Sequence, residues 1–321
     1  MKFRTEIEVT PLPRKIEYGH KIASIGSCFA DNIARLLREA KFNITPSPTG
    51  ILFNPASIAT AIGDMRSHSE VSSEELIELN GRYVSYDFHS SLSGATPQEA
   101  QGIMQEARER GAKALAAADH LIVTLGTAWV YSHNNSGRIV ANCHKQPAHL
   151  FTRRLLNVEE IVAHLSNIVS NTSAQVILTV SPIRHIGDGL VDNSLSKALL
   201  RVAIDEVCRK YDNAIYFPAY EIVMDDLRDY RFYADDLLHP STTAIRYIAD
   251  KFFGAALSAD TKELMTKVER IVQAANHRPT NPASEQHKEF CRKQLKSIAE
   301  LKMIDFSREK ELFEEMLQIN L

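Results

Sequence analysis

The chain has 321 residues, 44% of them hydrophobic and 24% charged, enough for one large domain with its own core. Its 37 Lys and Arg against 40 Asp and Glu leave a formal charge of −3, a balance that gives no electrostatic footprint for nucleic acid. No run approaches the roughly 20 apolar residues that a membrane helix needs, and the N-terminal segment has no apolar h-region, so a soluble, cytoplasmic protein with no membrane partner is expected. Cys28, Cys143, Cys208 and Cys291 are scattered, with no C-x-x-C pair. That spacing argues against a disulfide framework and against zinc, so neither metal nor cofactor is expected.

Four short runs, at residues 21–25, 121–125, 176–180 and 214–217, are rich in β-branched and aliphatic side chains. Three are nearly continuous apolar runs, the pattern of strands buried on both faces. Between them, residues 30–39, 158–170 and 195–209 repeat apolar side chains at helical spacing. Strands alternating with helices predict an α/β fold with a parallel sheet covered on both faces.

At the end of the first run comes Gly26-Ser27-Cys28-Phe29-Ala30. Glycine permits a tight strand-to-helix turn. Ser27 then falls at a helix N-terminus, where unpaired N–H groups and the helix dipole favour developing negative charge. A serine there is placed to attack while its own N–H contributes to an oxyanion hole, although serine is equally a preferred N-cap. The neighbouring Cys28 is a rival nucleophile, but one place into the helix a side chain normally points elsewhere, and a small buried packing role is the expectation for it. The phosphate-binding patterns G-x-x-x-x-G-K-[ST] and G-x-G-x-x-G do not occur at this turn.

Residues 54–118 fit the strand–helix rhythm poorly and read as an insertion near the mouth of the site, with an aromatic island at 83–88 and Pro97 opening a helix. Further on, Asp236 and His239 lie three residues apart on the loop that enters a helix begun by Pro240, Ser241 and Thr242. A short turn of this kind aims a carboxylate at an imidazole, fixes its tautomer and leaves the other nitrogen to accept a hydroxyl proton. Serine and D-x-x-H then meet at the carboxyl edge of one sheet, where open α/β folds bind ligands. Residues 1–255 are read as the catalytic domain and 256–321 as a C-terminal helical extension. Its charge-laced helices, 261–275 and 284–320, are broken at the prolines of 277–282 and available for homo-oligomer contacts.

The serine block and the D-x-x-H block together resemble the SGNH/GDSL hydrolase superfamily, and Gly26-Ser27-Cys28-Phe29-Ala30 spells the name of its GSCFA family. The likeness spans about residues 1–255, with Asn54-Pro55, residues 124–129, Asn142-Cys143-His144-Lys145, residues 181–185 and 230–233. It implies a three-layer α/β/α, flavodoxin-like fold and acyl-ester chemistry without a metal. It also implies Ser27 as nucleophile, His239 as base and Asp236 as its orienter. In that superfamily a glycine after the second strand and an asparagine in a G-x-N block complete the oxyanion hole. Gly50 fits the glycine by position. Gly126-Thr127-Ala128 lacks the asparagine, so Thr127 or Asn142 is the expected replacement. His144, Arg184 and His185, on loops at strand ends, are candidates to touch substrate.

The expected function is a serine hydrolase acting on acyl esters through an acyl-serine intermediate. The resemblance makes a small-molecule or carbohydrate O-acetyl ester the substrate class. The same triad would serve a carbohydrate O-acyltransferase, and the missing asparagine admits a catalytically weak binding protein that keeps the fold. A phosphate-ester enzyme is disfavoured for want of an acidic metal-binding cluster.

Overall fold

A computed structural model describes residues 4–319, the side chain of Asp188 excepted. Strand β1 (Lys21–Gly26) leads into helix α1 (Cys28–Glu39), strand β2 (Asn43–Pro46) and helix α2 (Pro55–Arg66). A hairpin of β3 (Leu76–Leu79) and β4 (Arg82–Ser85) precedes α3 (Pro97–Ala117) and β5 (His120–Leu125). Strands β6 (Trp129–His133), β7 (Ile139–Val140) and β8 (Phe151–Leu155) make a small antiparallel sheet in the order β7-β6-β8. There follow α4 (Val158–Ser170), β9 (Gln175–Val180), α5 (Leu190–Lys210), β10 (Ala214–Phe217) and the turn α6 (Ala219–Glu221), which continues into a π-helical turn, Ile222–Asp226. Helices α7 (Thr242–Ala256), α8 (Ala259–Asn276), α9 (Glu285–Glu300) and α10 (Ser307–Leu317) complete the described chain.

The central sheet is parallel throughout, in the order β2-β1-β5-β9-β10. Its strands alternate between two apolar faces, as a period of two requires. Ala23, Ile25, Leu121, Val123, Val176 and Leu178 share one core with side chains of α2, α4 and α5. Ile22, Ile44, Ile122 and Ile177 share the other with α1 and α7. This is the expected three-layer α/β/α fold with flavodoxin-like strand order. Every residue of β5 and β9 is buried, which explains their unbroken apolar spelling.

Three features depart from the sequence reading. Strand β2 is only four residues long and pairs with β1 alone, so Asn43-Ile44-Thr45-Pro46 lacks a strand signature, and its proline is tolerated at a sheet edge. The helix read over 284–320 is two helices. Asp305 Oδ1 accepts from Ser307 N at 2.9 Å and restarts the chain as α10. These terminal helices also bury a cluster of their own, with Val268, Ile271, Cys291, Phe306 and Phe313, and Lys41 at the end of α1 pairs with Glu309 of α10 at 2.6 Å.

Gly26 decides how β1 can turn into α1. Its φ is +140°, and a Cβ there would run into the Thr124 carbonyl of the neighbouring strand. Gly26→Ala is therefore expected to lower the unfolding free energy in urea by at least about 2 kcal/mol, from left-handed strain and backbone collision. By contrast Gly102→Ala, exposed on α3 with open space around it, is expected to be neutral or stabilising by up to about 1 kcal/mol.

Candidate active site

The expected carboxylate–imidazole pair is assembled at the carboxyl edge of the sheet. His239 Nδ1 lies 2.6 Å from Asp236 Oδ2, while Asp236 Oδ1 accepts the backbone N–H groups of Leu238 at 2.9 Å and His239 at 3.0 Å. Those two N–H groups and the imidazole hold the Asp236 carboxyl down at about 2. With Nδ1–H donated to the carboxylate, Nε2 is left as an acceptor. The loop needs Leu237 at φ +58° and closes through the Ala234 N–H on the His239 carbonyl, 2.7 Å.

What Nε2 faces is Cys28. The thiol Sγ lies 3.9 Å from His239 Nε2. Ser27, the expected nucleophile, is only 1% exposed, and its hydroxyl is buried without a partner among the described residues. Its N–H, expected in the oxyanion hole, donates to Thr124 O at 3.0 Å instead. The reason is one residue of register. Ser27 is the extended N-cap (φ −69°, ψ 167°), and the side chain of the next residue, first of the helix, is the one that reaches the D-x-x-H loop. Burial pushes the Cys28 thiol up, as does Asp31. Its own N–H, Lys197 and the Phe29 N–H act the other way.

The remaining expected donors are mostly engaged elsewhere. The Gly50 N–H closes a turn onto Ser47 O at 2.8 Å, with φ +80°. Thr127 Oγ1 pairs with Ser196 Oγ at 3.0 Å and accepts the Trp129 N–H at 3.1 Å, so it braces the chain leaving β5. Asn142 Oδ1 accepts the His144 N–H at 2.8 Å, which leaves its Nδ2 donor without a partner among the described residues. His144 Nε2 meets the Ser85 carbonyl at 2.7 Å and pins its loop to the β3–β4 hairpin, away from the triad. Arg184 is engaged with the loop of Asp236 and His239. Its backbone N–H donates to Leu238 O at 3.2 Å, its guanidinium reaches Leu237 O at 3.4 Å, and it stacks 4.1 Å above the Tyr233 ring. It clamps the loop that carries Asp236 and His239.

His185 does belong to the site. It is coupled electrostatically to His239 and Lys197, meets the Phe53 ring edge-on at 5.4 Å, and is drawn down to about 4, chiefly by burial. It also lines a cavity of about 460 Å³ walled by β6, β7 and the loops around them. Lys197 had no sequence signal, being one lysine among many charged residues of α5. Its ammonium is fully buried and donates to Gly126 O at 2.6 Å and Ser181 O at 2.7 Å, just past the ends of β5 and β9. Among the described residues no group of three His, Cys, Asp or Glu is arranged to hold a metal ion, and no helix is long and apolar enough to cross a membrane.

The sequence matches the model of the GSCFA family over residues 21–252 and that of the GSCFA domain protein C-terminal domain over 268–319. No curated protein matches it. Among solved structures, a mutant of an acetyl-xylooligosaccharide esterase from Geobacillus is a distant likeness, with 12% identity, a TM-score of 0.35, and coverage of 75% of this chain and 96% of that one.

Burial brings Lys197 from an ordinary 10.5 down to about 7. Between those values the unfolded chain binds a proton that the folded chain does not, so this group makes stability rise with pH across the interval and adds no slope below it. The gap in urea-unfolding free energy between wild type and Lys197→Met is expected to move in favour of wild type from pH 7 towards 10.5. A gap that stays flat over that window would mean that Lys197 keeps its charge when folded.

Proposed function

Given that the chain belongs to the GSCFA family, we propose that it is an acyl-transfer enzyme with Cys28 as nucleophile, His239 as general base and Asp236 orienting the imidazole. The supporting observation is the contact series from Cys28 Sγ to His239 Nε2 at 3.9 Å and from His239 Nδ1 to Asp236 Oδ2 at 2.6 Å. The reading keeps the ester chemistry of the SGNH/GDSL resemblance and moves the attacking atom from the Ser27 hydroxyl to the neighbouring thiol.

In the acylation step His239 Nε2 takes the thiol proton as Sγ bonds to the acyl carbonyl carbon, and the carbonyl π pair moves onto oxygen. That oxyanion forms at the N-terminus of α1. There the N–H groups of Cys28 and Phe29 occupy positions with no carbonyl partner inside the helix. Collapse breaks the bond to the leaving alcohol, which takes the proton back from His239 and leaves an S-acyl thioester on Cys28. Water then regenerates the thiol in a hydrolase, and a second hydroxyl does so in a transferase. Esters of small acyl groups such as acetyl are the proposed donors. Burial of Cys28 keeps it a thiol at rest, which is why a base 3.9 Å away is needed.

The test pairs hydrolysis of p-nitrophenyl acetate with iodoacetamide mapping of the four cysteines. Cys28→Ala is expected to lose at least about 10³-fold in kcat/KM and the modified Cys28 peptide, and His239→Ala to lose about 10²–10⁴-fold while remaining folded. Ser27→Ala is expected to stay within a few fold. Loss of activity in Ser27→Ala with retention in Cys28→Ala would return the role to the serine.

A further inference from the structure

The cavity beside His185 has an uneven supply of hydrogen-bonding groups. Asn54 Oδ1 is committed to the Ser57 N–H at 2.8 Å as the cap of α2, and Asn142 Oδ1 to the His144 N–H at 2.8 Å. Each bond fixes which way the amide faces, so both asparagines are left with an Nδ2 donor that has no partner among the described residues. His89 Nδ1 accepts the Ser91 N–H at 3.3 Å, which puts its ring proton on Nε2. Trp129 Nε1 is buried with no partner. Four donor nitrogens on cavity-lining residues are thus unspent, beside the buried, unpartnered ring nitrogen His185 Nε2 and one free side-chain amide oxygen, that of Gln146, whose Nε2 donates to the Tyr86 hydroxyl at 2.7 Å. No Asp, Glu, Lys or Arg lines the cavity.

From this we infer that the cavity binds an uncharged, oxygen-rich part of the substrate, which accepts from Asn54, His89, Trp129 and Asn142. The buried Trp129 Nε1 costs about 1–3 kcal/mol until it finds an acceptor, and with the three water-accessible donors beside it the cavity favours a ligand that supplies several oxygens. Without a cation in the wall, an anion would be buried unpaired, at a larger cost than a carbonyl, ether or hydroxyl oxygen incurs. A volume of about 460 Å³ is in the range of small-ligand sites and larger than an acetyl group needs. The inference rests on the proposed chemistry only in taking the ligand to be part of the acyl substrate, since His185 joins the cavity to His239. Amides and sugar rings share the chemistry named.

The chain's single tryptophan lies in this cavity, so its fluorescence reports occupancy. The Cys28→Ala protein is titrated with a neutral N-acetyl amino-acid amide, with a neutral methyl glycoside, and with the N-acetyl amino acid as its free carboxylate. A saturable response to either neutral probe, tighter than to the carboxylate, supports the inference, and the stronger of the two identifies the source of the oxygens. Asn142→Asp keeps the acceptor for the His144 N–H but replaces the Nδ2 donor, and is expected to weaken the neutral probe about tenfold, in line with one lost hydrogen bond. No response to any probe, a preference for the carboxylate, or unchanged binding in Asn142→Asp overturns it. Because Cys28 is absent from the titrated protein, a failed nucleophile assignment leaves this result unaffected.

Discussion

A lysine ammonium taken out of water must find partners or give up its proton, because burying an unpaired charge costs far more than any single contact in the fold returns. Lys197 finds them in the carbonyls of Gly126 and Ser181, immediately beyond β5 and β9, where the sheet's own pairing has ended. One side chain of α5 therefore ties two strand ends together from within. Below about pH 7, where Lys197 carries its proton, the same tie places a positive charge next to Cys28 and His185, where it favours the thiolate and disfavours a second cation on the imidazole. One side chain thus links α5, two strand ends and the field at the thiol.

Around that point the site is asymmetric. Cys28 and His185 are largely enclosed, whereas the side chains of His239 and Asp236 are 48% and 45% exposed. A half-exposed imidazole keeps its orientation only if its loop is held by something other than burial. Asp236 meets that need from inside the loop by capping two N–H groups as well as the ring, and Arg184 meets it from outside by gripping the carbonyls of Leu237 and Leu238. The left-handed backbone at Leu237 is kept by these contacts on both sides of it.

The parts of this arrangement that were legible in the sequence are those whose signal is local. Buried strands spell themselves as apolar runs, and Asp236 and His239 sit in one turn, so their partnership follows from spacing. Ser27 and Cys28 differ by a single position at a strand–helix junction, and there residue type does not discriminate: serine is both a familiar nucleophile and a familiar cap. Lys197 was invisible because its meaning depends on carbonyls 71 and 16 residues away. The β6–β8 sheet was invisible because its strands are short and antiparallel and divide their side chains between the main core, as Val130 does, and the cavity that Trp129, Tyr131, Val140 and Phe151 wall.

In the proposed reaction a thiol takes the place of a hydroxyl, which changes what the rest of the site must do. Sulfur gives up its proton more readily than oxygen, so the base has a smaller free-energy gap to close. Enclosure works against this advantage by raising the Cys28 thiol, and the N–H groups of Cys28 and Phe29 together with the Lys197 charge only partly restore it. The same helix N-terminus that favours the thiolate formed as His239 takes the proton also favours the oxyanion that forms during attack. The two charges succeed each other, because the sulfur loses its charge on bonding to the carbonyl carbon as the oxygen gains it. Donors held in place by the start of α1 can therefore serve both, which reduces the need for the side-chain donor that Gly126-Thr127-Ala128 lacks.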